Sequence, residues 1–380
     1  MSTEENNSRI FYLDYLRLYI VVLVVFLHAL LPHVKDYEWY INSSQINSLF
    51  TILALHIDVF IMPIMFFVAG YFTYPSLAKR GIKSFLYAKV KRILLPFIAG
   101  LTLFSPIMSY IGVLAAADSA PSYINFWSTM YFSDFLKPAH YWFLSSLFFF
   151  YLTFIVIYYF YQEQLKSFYD KSIESITKKK LLLSLLLFFI VGILLFFIVN
   201  VFKADAGWIS LFNIFSLQPT RWTTYVLYFY LGIFAYLNRI KIKEAVLEKL
   251  PLLTFLTLVI SIAYLGFKIA FIAQIPGSML LKFVNAALHF SLCFFVFLLL
   301  MVFFKKYLNK PSRLLSRLAA QSYRIYFVHM VIVVILQYFL FGMGLSVYAK
   351  FFVVFTSSLV LSYLFSEIYA KGYQVLGNFD

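Results

Sequence analysis

Apolar stretches of about twenty residues recur from one end of this 380-residue chain to the other, and each is long enough to cross a bilayer as a helix. Inside hydrocarbon a backbone N–H or C=O finds no water, so a spanning segment must satisfy its own groups as a helix or join a closed barrel. The runs are continuous rather than alternating, which selects the helix. Hydrophobic residues make up 63% of the chain, charged residues 12%, and the mean hydropathy is +0.86, which is not the composition of a soluble globular domain. Ten spans are predicted, over 10–33, 48–74, 87–112, 140–162, 181–202, 216–237, 251–273, 280–304, 322–341 and 346–370. No loop between them is long enough for a second domain, so residues 1–380 read as one all-α integral membrane bundle. The longest external connection, 113–139, contains an aromatic, mildly amphipathic stretch at 123–136 that reads as a short surface helix.

Lysine and arginine set the orientation. With the N-terminus inside, 23 of the 31 fall at cytoplasmic segments and 7 at outer ones, with Arg17 inside the first span. The positive-inside bias then puts both termini in the cytoplasm. The same bias accounts for a pI near 9.5 without any nucleic-acid partner. Glu4 and Glu5, followed by Asp14 and Arg17 within the first apolar run, do not read as a cleavable signal peptide. The single cysteine, Cys293, excludes an intramolecular disulfide and a thiolate cluster. The histidines are scattered without an HExxH pattern, so no metal is expected, and there is no phosphate-binding glycine loop or nucleophile elbow around Ser145–Ser146.

The first span, DYLRLYIVVLVVFLH from Asp14 to His28, carries three ionisable residues on one stripe. Eleven helical steps bring His28 back to within roughly 20° of Arg17, about 16 Å further along the axis. Asp14 lies one turn before Arg17 on the same side. Charged groups inside a bilayer are expensive, and three in register point to a protein interior or a wet cavity. An interfacial Asp14–Arg17 pair with a tolerated histidine near the far surface would need no such alignment. Arg17 falls in the inner half and His28 in the outer half. At the outer level stand His56, Asp58, His140, Tyr141, Trp142, Asn285 and His289, which suit a hydroxylated acceptor: carboxylate and imidazole for hydroxyls, aromatic faces for a sugar ring. Each alone reads equally well as an interface residue, and the grouping carries more than any member. On the inner side, Lys91, Arg92 and Arg324 sit at helix edges, where cations bind phosphate well, although positive-inside bias explains most such residues. His329 and Glu367 are further polar positions on that side.

These residues resemble a known pattern. LDYLRLYIVVLVVFLH (13–28) contains the Arg-x10-His signature of the membrane acyltransferase 3 family as Arg17 and His28. FIMPIMFFVAGYF (60–72) is similar to that family's FF-x-x-SG stretch, KRILLPF (91–97) to its R-x-L-x-P opening of the third helix, HYWFL (140–144) to its WFL, and SYRIYFVH (322–329) to a late helix ending in histidine. The look is closest to the OpgC-type, glucan-modifying branch. Ala69 stands where the family often has serine, so a hydroxyl-dependent role at that position is not implied. The resemblance implies transfer of an acetyl or succinyl group from cytoplasmic acyl-CoA to a carbohydrate or glycolipid outside the inner (plasma) membrane, with acyl-CoA as donor substrate and no permanently bound cofactor. It implies His28 as general base or acyl-carrying nucleophile, and Arg17 as donor-positioning or oxyanion-stabilising group. Lys91, Arg92 and Arg324 would hold the donor's phosphates; His56, Asp58, His140 and Trp142 would face the acceptor; Asp14 and His329 would support. Two rivals use the same residues differently: a proton-coupled transporter or flippase with the Asp–Arg–His stripe as a relay, and a non-catalytic subunit of an envelope-synthesis complex. The first span lacks glycine and carries only Pro32 near its end, which argues against a broken-helix transporter.

Overall fold

A computed structural model of the chain describes residues 10–117, 119–171, 178–240, 242 and 244–376; Glu4 and Glu5 lie outside them. Among the described residues the regular secondary structure is helical except for a hairpin in which β1 (Ile209–Leu211) pairs antiparallel with β2 (Phe215–Leu217). The longer helical elements are α1 (Phe11–Leu30), α2 (Ser48–Ile57), α3 (Ile61–Tyr71), α4 (Thr73–Arg80), α5 (Ile82–Ala116), α6 (123–135), α7 (Trp142–Lys171), α8 (Lys178–Phe202), α9 (Pro219–Leu237), α10 (Leu250–Phe271), α11 (Met279–Tyr307), α12 (Arg313–Phe341) and α13 (Val347–Leu376). The expected all-α membrane bundle is what forms.

Nine helical runs among the described residues are long and apolar enough to cross a membrane, one fewer than the ten expected. The difference is α9, a 19-residue helix whose Arg221, threonines and tyrosines lower its apolarity. The run Ser48–Arg80 is broken twice. Asn47 caps α2 by accepting the Phe50 N–H at 3.1 Å. The chain turns at 58–60 and restarts as α3, where Pro63 sits in the first turn and needs no donor. Gly81, at φ 72°, ends α4 and opens α5.

Contacts divide the chain into two units. The first comprises residues 1–58, 98–141 and 309–380. Its core is a three-helix contact of α1, α12 and α13 built on Val25, Ala29, Val333 and Val354. In the same unit α5 passes through a π turn at Gly100–Phe104. That turn hands the Ser105 N–H to the Gly100 carbonyl, and Pro106 has no N–H to give. The carbonyls of Leu101 and Thr102 thereby lose their usual helical donors. Tyr131 Oη reaches Leu101 O at 2.8 Å and Trp127 Nε1 reaches Thr102 O at 3.0 Å. The aromatic stretch expected as a surface helix is therefore α6, and it docks on α5 by repairing this defect.

The second unit comprises residues 59–97 and 142–308. Its tightest crossing joins α3 to α9. A Cβ on Gly70 would stand 1.9 Å from the Phe229 carbonyl oxygen, and one on Gly232 would stand 2.2 Å from that of Phe67. Small residues let membrane helices approach backbone to backbone, where dispersion rather than the hydrophobic effect holds them. Gly70 is the glycine of FFVAG, so that stretch has a packing reason that does not involve Ala69.

Gly70→Ala should disrupt this crossing, since overpacking of a close contact costs about 1–3 kcal/mol or more. Gly266→Ala on α10, where an added Cβ meets nothing within 4 Å, is the matched control. Thermal unfolding in detergent should show a clear loss for the first and little change for the second; equal behaviour would mean that the α3–α9 contact is not close.

Candidate active site

The stripe on α1 faces α12, and the two helices run parallel because partner numbers rise together. At the first level Tyr15 Oη accepts the Ser312 N–H at 3.0 Å, pairs with Ser316 Oγ at 2.9 Å and lies 3.3 Å from the Lys310 carbonyl oxygen. Ser312 is itself the N-cap of α12, so Tyr15 binds the helix start where N–H groups lack helical partners. At the second level Arg17 donates from Nε to Ser322 Oγ at 3.0 Å and from Nη2 to Ala319 O at 3.1 Å. Asp14 lies 3.6 Å from the same guanidinium, which stays about a third exposed at 34%. Asp14 and Arg17 therefore pair, as the plainer interfacial reading has it, while α12 supplies further contacts to the guanidinium.

At the third level His28 Nδ1 lies 2.9 Å from His329 Nε2, and His329 Nδ1 lies 2.6 Å from the Tyr326 carbonyl oxygen. The order of partners assigns the protons. A carbonyl only accepts, so His329 carries its proton on Nδ1 and accepts at Nε2. A neutral His28 then donates from Nδ1, and its Nε2 holds an unprotonated lone pair. His28 is half-buried, whereas His329 is fully buried. The more exposed imidazole is thus the one whose Nε2 lone pair is left unprotonated by this order of partners.

The ring of His28 is also held from the other side. Trp39 stacks on it with centroids 5.6 Å apart and planes at 18°, while His329 lies nearly coplanar beside it, centroids 5.2 Å apart, as their in-plane hydrogen bond requires. Trp39 Nε1 donates to Gln337 Oε1 at 2.8 Å, and Gln337 Nε2 donates to the His28 carbonyl at 2.9 Å. Gln337 therefore fixes both the backbone of His28 and the indole packed on its ring. His140 lies edge-on to His329 at 4.9 Å and to His28 at 6.4 Å. It is buried, and neither ring nitrogen makes a well-formed hydrogen bond among the described residues. Tyr141 beside it donates to the Phe327 carbonyl at 2.9 Å while its ring packs on Gly100, where a Cβ would stand 2.7 Å away.

The remaining candidates fall elsewhere. His56 and Asp58 stand at the C-terminal end of α2, where the helix breaks. Arg324 donates from Nε to Gln321 Oε1 at 2.9 Å and to Ser366 Oγ at 3.0 Å, in a network that also ties Gln321 and Arg317 to Glu367. In the second unit, Lys91 and Arg92 are exposed on a π turn, Val90–Leu94. Trp142 stacks on Tyr225 with centroids 5.5 Å apart. Among the described residues no three histidine, cysteine or acidic side chains are arranged to hold a metal ion. Sequence reasoning passed over Tyr15, Trp39, Gln337 and Ser322. Only Gln337 left a usable signal, an amide inside the apolar run VVILQYFLF.

Compared with known proteins, the chain matches the family model of the acyltransferase 3 type, described as an acyltransferase domain, over residues 10–367. No curated protein and no solved structure matches it.

If the His28–His329 bond is made, the two residues couple energetically. Unfolding of His28→Ala, His329→Ala and the double variant should show a non-additive part of about 0.5–3 kcal/mol, as for residues in direct contact. Strictly additive losses would mean that the two imidazoles do not interact.

Proposed function

Because this chain belongs to the acyltransferase 3 family, we propose that it is a membrane O-acyltransferase that moves an acetyl or succinyl group from acyl-CoA to a hydroxyl of an extracytoplasmic glycan or glycolipid. The observation that supports this most is the relay from the Tyr326 carbonyl through His329 to His28. It makes Nε2 of His28 a base without a buried charge. In the proposed step that nitrogen takes the proton of the acceptor hydroxyl as its oxygen bonds to the thioester carbonyl carbon. The tetrahedral adduct then collapses, the carbon–sulfur bond breaks, and CoA thiolate leaves, with the proton on His28 free to pass to it. Direct transfer needs no covalent enzyme intermediate, and a neutral His28 flanked by two rings is oriented for proton transfer.

Arg17 takes a different part in this reading. Helical rise separates it from His28 by about 16 Å, and side chains on one helix tilt the same way, so the gap does not close. Both groups then do not act on one carbonyl, and Arg17 fits donor positioning better than oxyanion stabilisation. Lys91 and Arg92, as exposed cations, suit the phosphates of CoA. Arg324, already bonded to Gln321 and Ser366, suits holding α12 to α13. His140, His56 and Asp58 remain candidates for acceptor hydroxyls, and Trp142 for a sugar face.

The topology that goes with this function counts α9 as the tenth span, with both termini in the cytoplasm and the protein multi-pass in the inner membrane. The OpgC-type branch, with a glucan acceptor, is the version closest to the sequence motifs. A transporter would move substrate without acyl-CoA and yield no acylated product.

His28→Ala should lower acyl transfer by about 10²–10⁴-fold, the usual worth of a general base. Abundance in the membrane should hold, since alanine inserts more readily than histidine. Transfer measured in sealed vesicles, with acyl-CoA supplied only to the cytoplasmic face, should label acceptor only on the opposite face. Near-normal transfer by a well-expressed variant would remove His28 from the chemistry; product on the side of acyl-CoA addition would rule out transfer across the membrane.

A further inference from the structure

In the second unit the connection from α8 to α9 is not built like a loop that faces water. From Ala206 to Thr220 it holds no aspartate, glutamate, lysine or arginine, and the β1–β2 hairpin lies within it. The tip is a three-residue turn, Phe212–Ile214, closed by the Ile214 N–H on the Leu211 carbonyl at 3.1 Å. Its first two residues have positive φ, 54° at Phe212 and 56° at Asn213. Asparagine tolerates that conformation, whereas a bulky side chain is strained in it. Phe212 is nevertheless 91% exposed, with Trp208, Leu211 and Ile214 exposed around it. Neither the backbone nor any packing within the chain asks for a phenylalanine there, so its reason lies in what surrounds the tip.

The neighbours of the hairpin give its depth. Trp208 packs edge-on against Trp142, the first residue of α7, with centroids 5.6 Å apart, and the Phe215 ring lies 6.1 Å from that of Phe149. Phe149 is seven residues further along α7, about 10 Å at helical rise. It is the twelfth of the 25 residues from 138 to 162, a run without Asp, Glu, Lys or Arg inside a span, and so stands near its middle. The hairpin therefore lies along α7 within the bilayer instead of projecting from it. Its polar side chains fit that setting. Ser210 and Ser216 are opposite in register and their hydroxyls pair at 2.7 Å, and Gln218 Nε2 donates to the Ala206 carbonyl at 3.3 Å.

The charges that flank the hairpin are gathered at its base. Arg221 Nε, beyond one end, lies 3.4 Å from Oδ1 of Asp205, beyond the other. Lys268 Nζ donates to Asp205 Oδ2 at 2.7 Å, and Asn285, one turn before His289 on α11, donates to the same oxygen at 3.3 Å. The outward edges of so short a hairpin still carry unpaired backbone groups, which the centre of a bilayer does not accept but the headgroup boundary does.

We infer that this hairpin is an interfacial anchor. Its backbone lies at the boundary of headgroups and acyl chains, and Phe212, Leu211 and Ile214 insert among the acyl chains of the leaflet around the N-terminal half of α7, the outer one in the proposed topology. The partner is lipid hydrocarbon. It buries the exposed phenylalanine and so offsets the strain of its backbone, and Trp208 takes the interfacial place usual for that residue.

The test uses the full-length protein in liposomes and reads no acyl transfer, so its outcome is independent of the proposed activity. Cys293, the single cysteine, is replaced by alanine, and a nitroxide is attached in turn to Phe212→Cys, to Leu194→Cys on the exposed face of α8, and to Glu38→Cys in an exposed loop. Oxygen, which partitions into hydrocarbon, should relax the label at position 212 more than a water-soluble nickel chelate does, as at 194 and opposite to 38. Ile214→Cys repeats the reading should Phe212→Cys fold poorly. A label at 212 relaxed mainly by nickel would place the tip in water and overturn the assignment. So would low accessibility to both reagents, whether the tip is covered by this chain or, with spin–spin broadening, by a second copy.

Discussion

The bilayer makes polar groups on a spanning helix costly unless another helix meets them, and the pairing of α1 with α12 is where this protein meets that demand. Tyr15, Arg17 and His28 each find a polar partner on α12 at a matching level. Between these rungs the contact is apolar, through Val25, Ala29 and Val333. The polar rungs set which faces meet and in which register, since sliding one helix by a turn would break all three levels at once. Dispersion between the apolar side chains then holds the helices together. The geometry of His28 follows from this register. In the proposed reaction His28 needs no carboxylate beside it to act as a base, because His329 and a backbone carbonyl settle its tautomer without placing a formal charge in the membrane.

How much of this was legible in the sequence depended on how rare each signal is in its setting. Ionisable residues inside apolar runs are conspicuous, so Asp14, Arg17, His28 and His329 stood out, and the helical period placed the first three on one face. The all-helical fold followed from run length alone. Gly70 was visible within FFVAG, but its partner Gly232 was not, since only the three-dimensional crossing of α3 and α9 shows which backbones touch. Tyr15 and Trp39 were hidden by abundance: 30 tyrosines and 47 phenylalanines make any one aromatic uninformative. The same threonines and tyrosines that blur α9 as a span are what composition weighs and packing does not. Asn285 and His289 were noticed as polar residues of the eighth span, yet Asp205, 63 residues before Lys268, gave no local hint that it would gather them.

The two clusters illustrate different ways of carrying polar groups in a membrane protein. The histidine relay is neutral and ends on a backbone carbonyl, so it can sit beside apolar side chains with few partners. The Asp205 cluster is charged, and its buried carboxylate is held by Lys268 and Arg221 rather than by a backbone group. α5 gives a third solution: its π turn and Pro106 release two carbonyls, and aromatic side chains of α6 take both.

The proposed chemistry depends on His28 presenting an unprotonated Nε2 because His329 accepts the proton carried on its Nδ1. Nitrogen NMR on protein labelled only in its 6 histidines, with His28 assigned by its loss in His28→Ala, reads this tautomer directly. Neutral His28 should carry its proton on Nδ1 and revert toward the Nε2-protonated form in His329→Leu. A wild-type His28 protonated on Nε2 would contradict it, since that nitrogen could then not accept a proton from a hydroxyl.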